Sequence, residues 1–149
     1  MSTLIRTTKL NARMMAAVIL DDARDIRHLA KEGLDVAGIS LTGDTWLDIA
    51  VARNRMNAAA AIIMLSGSKT NLLTATDKTG DTVIDKAVGV VSERFLVMLL
   101  NASDKLNLLH RNSKGVSTLD LLVNLNSKPV NEALTRQRNR SLDSTALAA

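Results

Sequence analysis

The chain has no cysteine and no tyrosine, and only one tryptophan, one phenylalanine and one proline among 149 residues. Without cysteine there is no disulfide framework, no thiolate zinc site and no thiol nucleophile. A reducing compartment is compatible with this, and a cytoplasmic location is the expectation, with delivery into another cell as the alternative left open. With Trp46 and Phe95 as the aromatics, a core has to be made of Leu, Ile, Val, Met and Ala. Such side chains suit helices that approach one another closely. No apolar run reaches the roughly 20 residues of a membrane span, so no membrane role is expected. Residues 1–10 lack the apolar centre of a signal peptide.

Charge of one sign is scarce where a nucleic-acid surface would need it. The net charge is +4, yet residues 14–125 hold 12 basic and 13 acidic side chains. The excess sits at the ends: Arg6, Lys9 and Arg13 in the first thirteen residues, and Lys128, Arg136, Arg138 and Arg140 after residue 125. A basic surface spread along the body is therefore not expected, and nucleic acid is not the expected partner. The alternative function that stays open is a nucleic-acid-associated protein using those two basic end segments.

What the chain does have is a repeat. Gly43-Asp44-Thr45-Trp46-Leu47-Asp48 is matched by Gly80-Asp81-Thr82-Val83-Ile84-Asp85 and, more loosely, by Gly115-Val116-Ser117-Thr118-Leu119-Asp120, at spacings of 37 and 35 residues. In each, Gly makes a turn, Thr or Ser opens a helix, and an Asp three residues later can complete a capping box. The helix opened at Thr82 is short and amphipathic, with Ile84 and Ala87 on its apolar side; a break near Gly89 to Ser92 follows, and then a second helix that is apolar over a wide arc from Phe95 to Leu100. Two short helices of this kind cannot bury themselves alone. Copies at a period of this length are the signature of a solenoid of stacked helical hairpins.

The motif Gly-x-Thr-x-Leu-Asp-x-Ala, followed by a second helix ending in Leu-Leu and a polar turn, resembles the ankyrin repeat, whose usual form is Gly-x-Thr-Pro-Leu-His-x-Ala. Trp46, Val83 and Thr118 stand where that family prefers Pro, and Asp48, Asp85 and Asp120 where it prefers His. The Asp is chemically sensible, because a carboxylate favours a helix N-terminus. The resemblance covers roughly residues 10–125. It implies an all-α, ankyrin-like solenoid forming a single domain with long connecting turns. The repeats would fall at about 10–38, 39–75, 76–110 and 111–138, with residues 1–9 irregular or a short cap and 139–149 a flexible tail.

Within that frame, Leu10 to Leu20 and Ala23 to Glu32 are expected as the first hairpin, with Met14, Ala17, Val18, Ile26, Leu29 and Ala30 inward. Gly33 fits a left-handed helix end. Asn54 stands where the family has Gly, and Asn tolerates the left-handed region better than most residues. Asn71-Leu72-Leu73 and Asn107-Leu108-Leu109 recur before the turns and are expected to pack under elongated loops. Pro129 and Ser127 mark the start of a final helix.

The resemblance implies that the turn tips and the adjoining ends of the first helices form a continuous concave edge that binds another protein. By position, that edge holds Leu41, Thr42, Asp44 and Arg53 in the second repeat. It holds Lys78, Thr79 and Asp81 in the third, and Ser113, Lys114 and Val116 in the fourth. The function it implies is a non-enzymatic adaptor, inhibitor or neutralising partner without cofactor, as a monomer or weak dimer. Asp48, Asp85 and Asp120 are assigned to helix capping rather than to metal or acid–base chemistry. His28 and His110 have no partner at ligand spacing and no assigned role. The closing Leu147-Ala148-Ala149 is similar to the end of a bacterial degradation tag, which would imply an abundance set by proteolysis; the alternative is a chance match in an Ala-rich tail.

Overall fold

The computed structural model describes residues 2–67, 71–103 and 105–148, with side chains through Arg140. Among the described residues the regular structure is α-helical, in eight helices, with two isolated β-bridges at turns. The chain divides into two compact units, Met1–Leu72 and Leu73–Ala149. The division falls inside the long connection between Ser66 and Thr79.

The first unit contains α1 (Ser2–Ile19), α2 (Ala23–Lys31), α3 (Trp46–Ala52) and α4 (Met56–Ser66). These form two hairpins, α1/α2 and α3/α4, packed side by side through α1 on α3 and α2 on α4. Met14, Val18, Ile26, Leu29, Leu47 and Ile62 are fully buried there. Ala58, Ala59 and Ala61 give α4 a smooth buried side that lets its neighbours come close. The second unit contains α5 (Val83–Ala87), α6 (Glu93–Asn101), α7 (Thr118–Val123) and α8 (Lys128–Ala148). Its hairpins pair in the same way, α5 with α7 and α6 with α8, around Ile84, Phe95, Leu99, Leu100 and Leu122.

Six of the helix starts follow from a short polar side chain. Thr45, Thr82 and Ser117 accept hydrogen bonds from the amides of Asp48, Asp85 and Asp120. At Thr82 and Ser117 the Asp carboxylate returns the bond to the cap's own amide, closing two capping boxes. Asp22, Ser92 and Ser127 cap α2, α6 and α8 by the same three-residue reach. α4 is different. Its N-cap position is Arg55, which makes no side-chain cap. The carboxylate of Asp21, in the turn of the neighbouring hairpin, does the work, taking the Ala58 amide at 2.7 Å and the Asn57 side-chain amide at 2.9 Å.

The break inside every hairpin is a left-handed residue: Asp21, Asn54, Gly89 and Asn126, with φ of 57°, 55°, 82° and 51°. Asn54 behaves as its type predicts. At Asp21 and Asn54 the paired bonds of a Schellman ending are complete, Asp22 to Ala17 with Asp21 to Val18, and Arg55 to Ala50 with Asn54 to Val51.

Three expectations need correcting. α1 begins at Ser2, not near Leu10. Nothing between Ser2 and Ile19 breaks a helix, and the early residues are tied down. Arg6 donates to the Glu32 carbonyl, and Arg13 pairs with both Asp25 and Glu32. α8 continues to Ala148, where a tail was expected from residue 139. No Gly or Pro follows Pro129, and Val130, Ala133 and Gln137 bury a stripe along it. The side chains of 141–148, and all of Ala149, lie outside the described residues, and with them the tag-like ending. Third, Leu109 does not pack under its loop; it is 72% exposed, and Leu106 and Leu108 are the half-buried pair.

No described helix is long and apolar enough to cross a membrane.

Candidate functional site

The turn that leads into α3 has the same construction as those leading into α5 and α7. In each, the first residue of a five-residue turn bonds back through its amide to the carbonyl of the fifth: Ser40 to Asp44, Asp77 to Asp81 and Asn112 to Val116. In each, the amide of the glycine returns to the carbonyl of the first residue. The glycines have φ between 76° and 89°, a region an L side chain enters only at a cost. The first residue is polar in all three because its side chain folds over its own loop. Ser40 Oγ accepts from the Thr42 amide. Asp77 Oδ1 accepts from the amides of Thr79 and Asp81 and from the Thr79 hydroxyl. Asn112 Oδ1 accepts from the amides of Lys114 and Val116.

This filling has an electrostatic consequence. The Asp77 carboxyl is held well below the usual carboxylate range, first by the Thr79 hydroxyl, then by backbone amides and Lys86. Asp120 is lowered as well, chiefly by Ser117 and then by the charge of Arg111. A lowered folded value means that the stability Asp77 adds is complete above its unfolded value near ~4. That stability drains away as pH falls toward the folded value. Asp77→Asn imitates the Asn112 turn. It should leave the melting temperature at pH 7 within about 4 °C of the parent and flatten its decline below about pH 4. Thermal melts at pH 7, 4 and 2.5 check this; an unchanged acid decline would remove Asp77 as its source.

In the second unit the two turns are bonded to each other. The Ser113 amide donates to the Thr79 carbonyl at 2.9 Å, and the Asn112 side-chain amide to Asp81 Oδ1 at 2.9 Å. His110 Nε2 donates to the Gly80 carbonyl at 2.9 Å, and Thr118 Oγ1 to Asp85 Oδ1 at 2.6 Å. Lys78, Thr79 and Asp81 are thus brought beside Ser113, Lys114 and Val116. Lys78, Thr79, Ser113 and Lys114 are exposed, whereas Asp81 and Val116 are half-buried. In the first unit Leu41, Thr42 and Asp44 share one turn and are exposed, with Thr42 Oγ1 on Asp44 Oδ2 at 3.2 Å. Arg53 is not brought to them. It is the C-cap of α3, at the far end of a helix whose seven residues span about 10 Å.

Asp81 holds the turn rather than facing outward, since the Asn112 side-chain amide donates to its carboxylate and Thr79 Oγ1 stands 2.9 Å from it. Asp85 and Asp120 serve their caps as expected. Sequence reasoning missed Asn112, Asp77 and His110. A signal existed for the first two, a Ser, Asp or Asn three residues before each turn glycine, at 40, 77 and 112. His110 carried none, because its partner is a backbone carbonyl thirty residues away. Among the described residues no group of three His, Cys, Asp or Glu is placed to hold a metal ion.

No protein-family model matches this chain, and no curated protein matches it.

Proposed function

We propose that this chain is a non-enzymatic, ankyrin-like binding module that holds another protein through its turn tips, as an adaptor, inhibitor or neutralising partner. What supports the reading is the doubly bonded pair of turns at 77–81 and 112–116. Their carboxylates and amides are spent on one another, so the tips are fixed before any partner arrives. Lys78, Ser113 and Lys114 are left outward on that fixed base. Preorganisation of this kind lowers the ordering cost of association. Stacked repeats characteristically use extended surfaces of this sort.

The nucleic-acid alternative draws less support. Arg13, which it needs, is committed to Asp25 and Glu32, and Arg6 to the end of α2.

The test is an affinity co-purification from source cells with an N-terminal tag, nuclease and moderate salt. One protein should be recovered in near-stoichiometric yield. The double change Lys78→Glu with Lys114→Glu should cut that yield at least about tenfold, a loss of ~1.4 kcal/mol of binding, without moving the melting temperature. Asp81 is left alone because it holds the turns. Nucleic acid as the only ligand, lost with salt, would overturn the proposal. So would a protein partner indifferent to both lysines.

A further inference from the structure

The fourth hairpin carries a groove that is closed on the third. In hairpin α5/α6, Ile84, Leu96 and Leu99 are buried, with α7 over α5 and α8 over α6. The segment Leu106-Asn107-Leu108 faces Leu73 and Ile84 across a cavity of only about 140 Å³. Thirty-five residues on, the corresponding positions are Leu119, Asn131 and Leu134. These line an open groove of about 570 Å³ between segment 106–109, α7 and α8.

The two walls differ in chemistry. One is apolar: Leu108 and Leu119, with Val123 52% exposed and Leu109 72% exposed. The other, on α8, keeps Leu134 but is otherwise polar. Leu96 and Leu100 of α6 correspond to Asn131 and Thr135 of α8, and Arg138 stands beside them. A further whole hairpin would present apolar side chains to both walls, as hairpin α7/α8 does to hairpin α5/α6, and Asn131, Thr135 and Arg138 do not match it. A single segment needs only one apolar wall.

We propose that this groove seats a short leucine-bearing segment of another protein, in the manner in which Leu106-Asn107-Leu108 faces Leu73 and Ile84 across the smaller cavity. The side of that segment facing Arg138 carries an acidic group. This site shares no residue with the turn tips, so it stands or falls independently of them. A segment burying two leucines is expected to bind with Kd on the order of 10–100 μM.

The probe is a fluorescein-labelled synthetic heptapeptide copying residues 105–111 with Lys105→Glu, titrated against the full chain by anisotropy. Saturable binding is expected. It should weaken at least tenfold in Val123→Asp, a change at an exposed position that leaves the helical circular dichroism intact. It should vanish when the peptide carries Leu106→Asn and Leu108→Asn. No binding up to about 1 mM, or equal binding by Val123→Asp, overturns the proposal. Sedimentation supplies the remaining outcome: a dimer abolished by Val123→Asp would place a second copy in the groove and also overturn it.

Discussion

Phe95→Ala should lower the stability of the second unit by about 3–5 kcal/mol, the usual cost of emptying a buried aromatic position. Phe95 is completely buried and sits at the third position of α6, where its amide also donates to the capping Ser92 Oγ. It is the one phenylalanine of the chain, and its neighbours Leu96, Leu99 and Leu100 are unable to refill the volume without leaving their own places. Proteins of ordinary stability hold only about 5–15 kcal/mol in total, so this one change should shift the midpoint by about 10 °C or more. Thermal and urea melts followed at 222 nm measure it. Val90→Ala, at a half-exposed position in the adjoining turn, should cost less than about 0.5 kcal/mol. A Phe95→Ala loss as small as that would mean the α5/α6 hairpin is not packed as described.

The second large effect is expected at Gly80. Two separate costs meet there. Its φ of 79° charges any L side chain about 1–2 kcal/mol. A Cβ built on it would also stand 3.3 Å from Asn112 Cα and from Ser113 N, backbone atoms that cannot swing aside. Gly80→Ala should therefore cost about 2–3 kcal/mol and loosen the Ser113–Thr79 bond. Gly115 isolates the first cost. Its φ is 76°, but nothing lies within 4 Å of a Cβ there, so Gly115→Ala should cost only about 1 kcal/mol. The difference between the two variants measures how closely the turns are pressed together. Equal losses would show that the conformational strain alone accounts for both. If the turn tips form the binding surface, Gly80→Ala should also weaken partner capture, because it displaces the base on which Lys78 and Lys114 stand.

These positions also show how far the amino-acid sequence could be read. The glycines, the Thr or Ser caps and the Asp three residues on were legible because their causes are local. A turn needs positive φ, a helix end needs an acceptor, and both demands are met within five residues. Asn54 was legible for the same reason. The start of α1 was not, because what keeps Ser2 to Leu10 helical lies outside that stretch. Arg6 reaches the Glu32 carbonyl, and Arg13 reaches Asp25 and Glu32. The same arginines looked like an available basic end when only composition was considered. Gln137 was hidden likewise. It reads as one polar residue in a polar helix, yet it is buried and donates to the carbonyls of Leu100 and Ser103, at the end of α6. Of the proposed edge, exposure at the tips was predictable from turn chemistry. The inward commitment of Asp81 and the separation of Arg53 were not, since each depends on where another segment stands.

The cap that α4 takes from Asp21 ties the two hairpins of the first unit together. Arg55 offers α4 no cap of its own, and both bonds from Asp21 cross from one hairpin to the next. Within the protein, the Ala58 amide at the α4 start is therefore satisfied only where the α1/α2 turn holds Asp21 beside it. The two hairpins are then conditional on each other, beyond the apolar surface they share. Thermal fraying at the α4 start has to break the junction rather than peel one helix from its end.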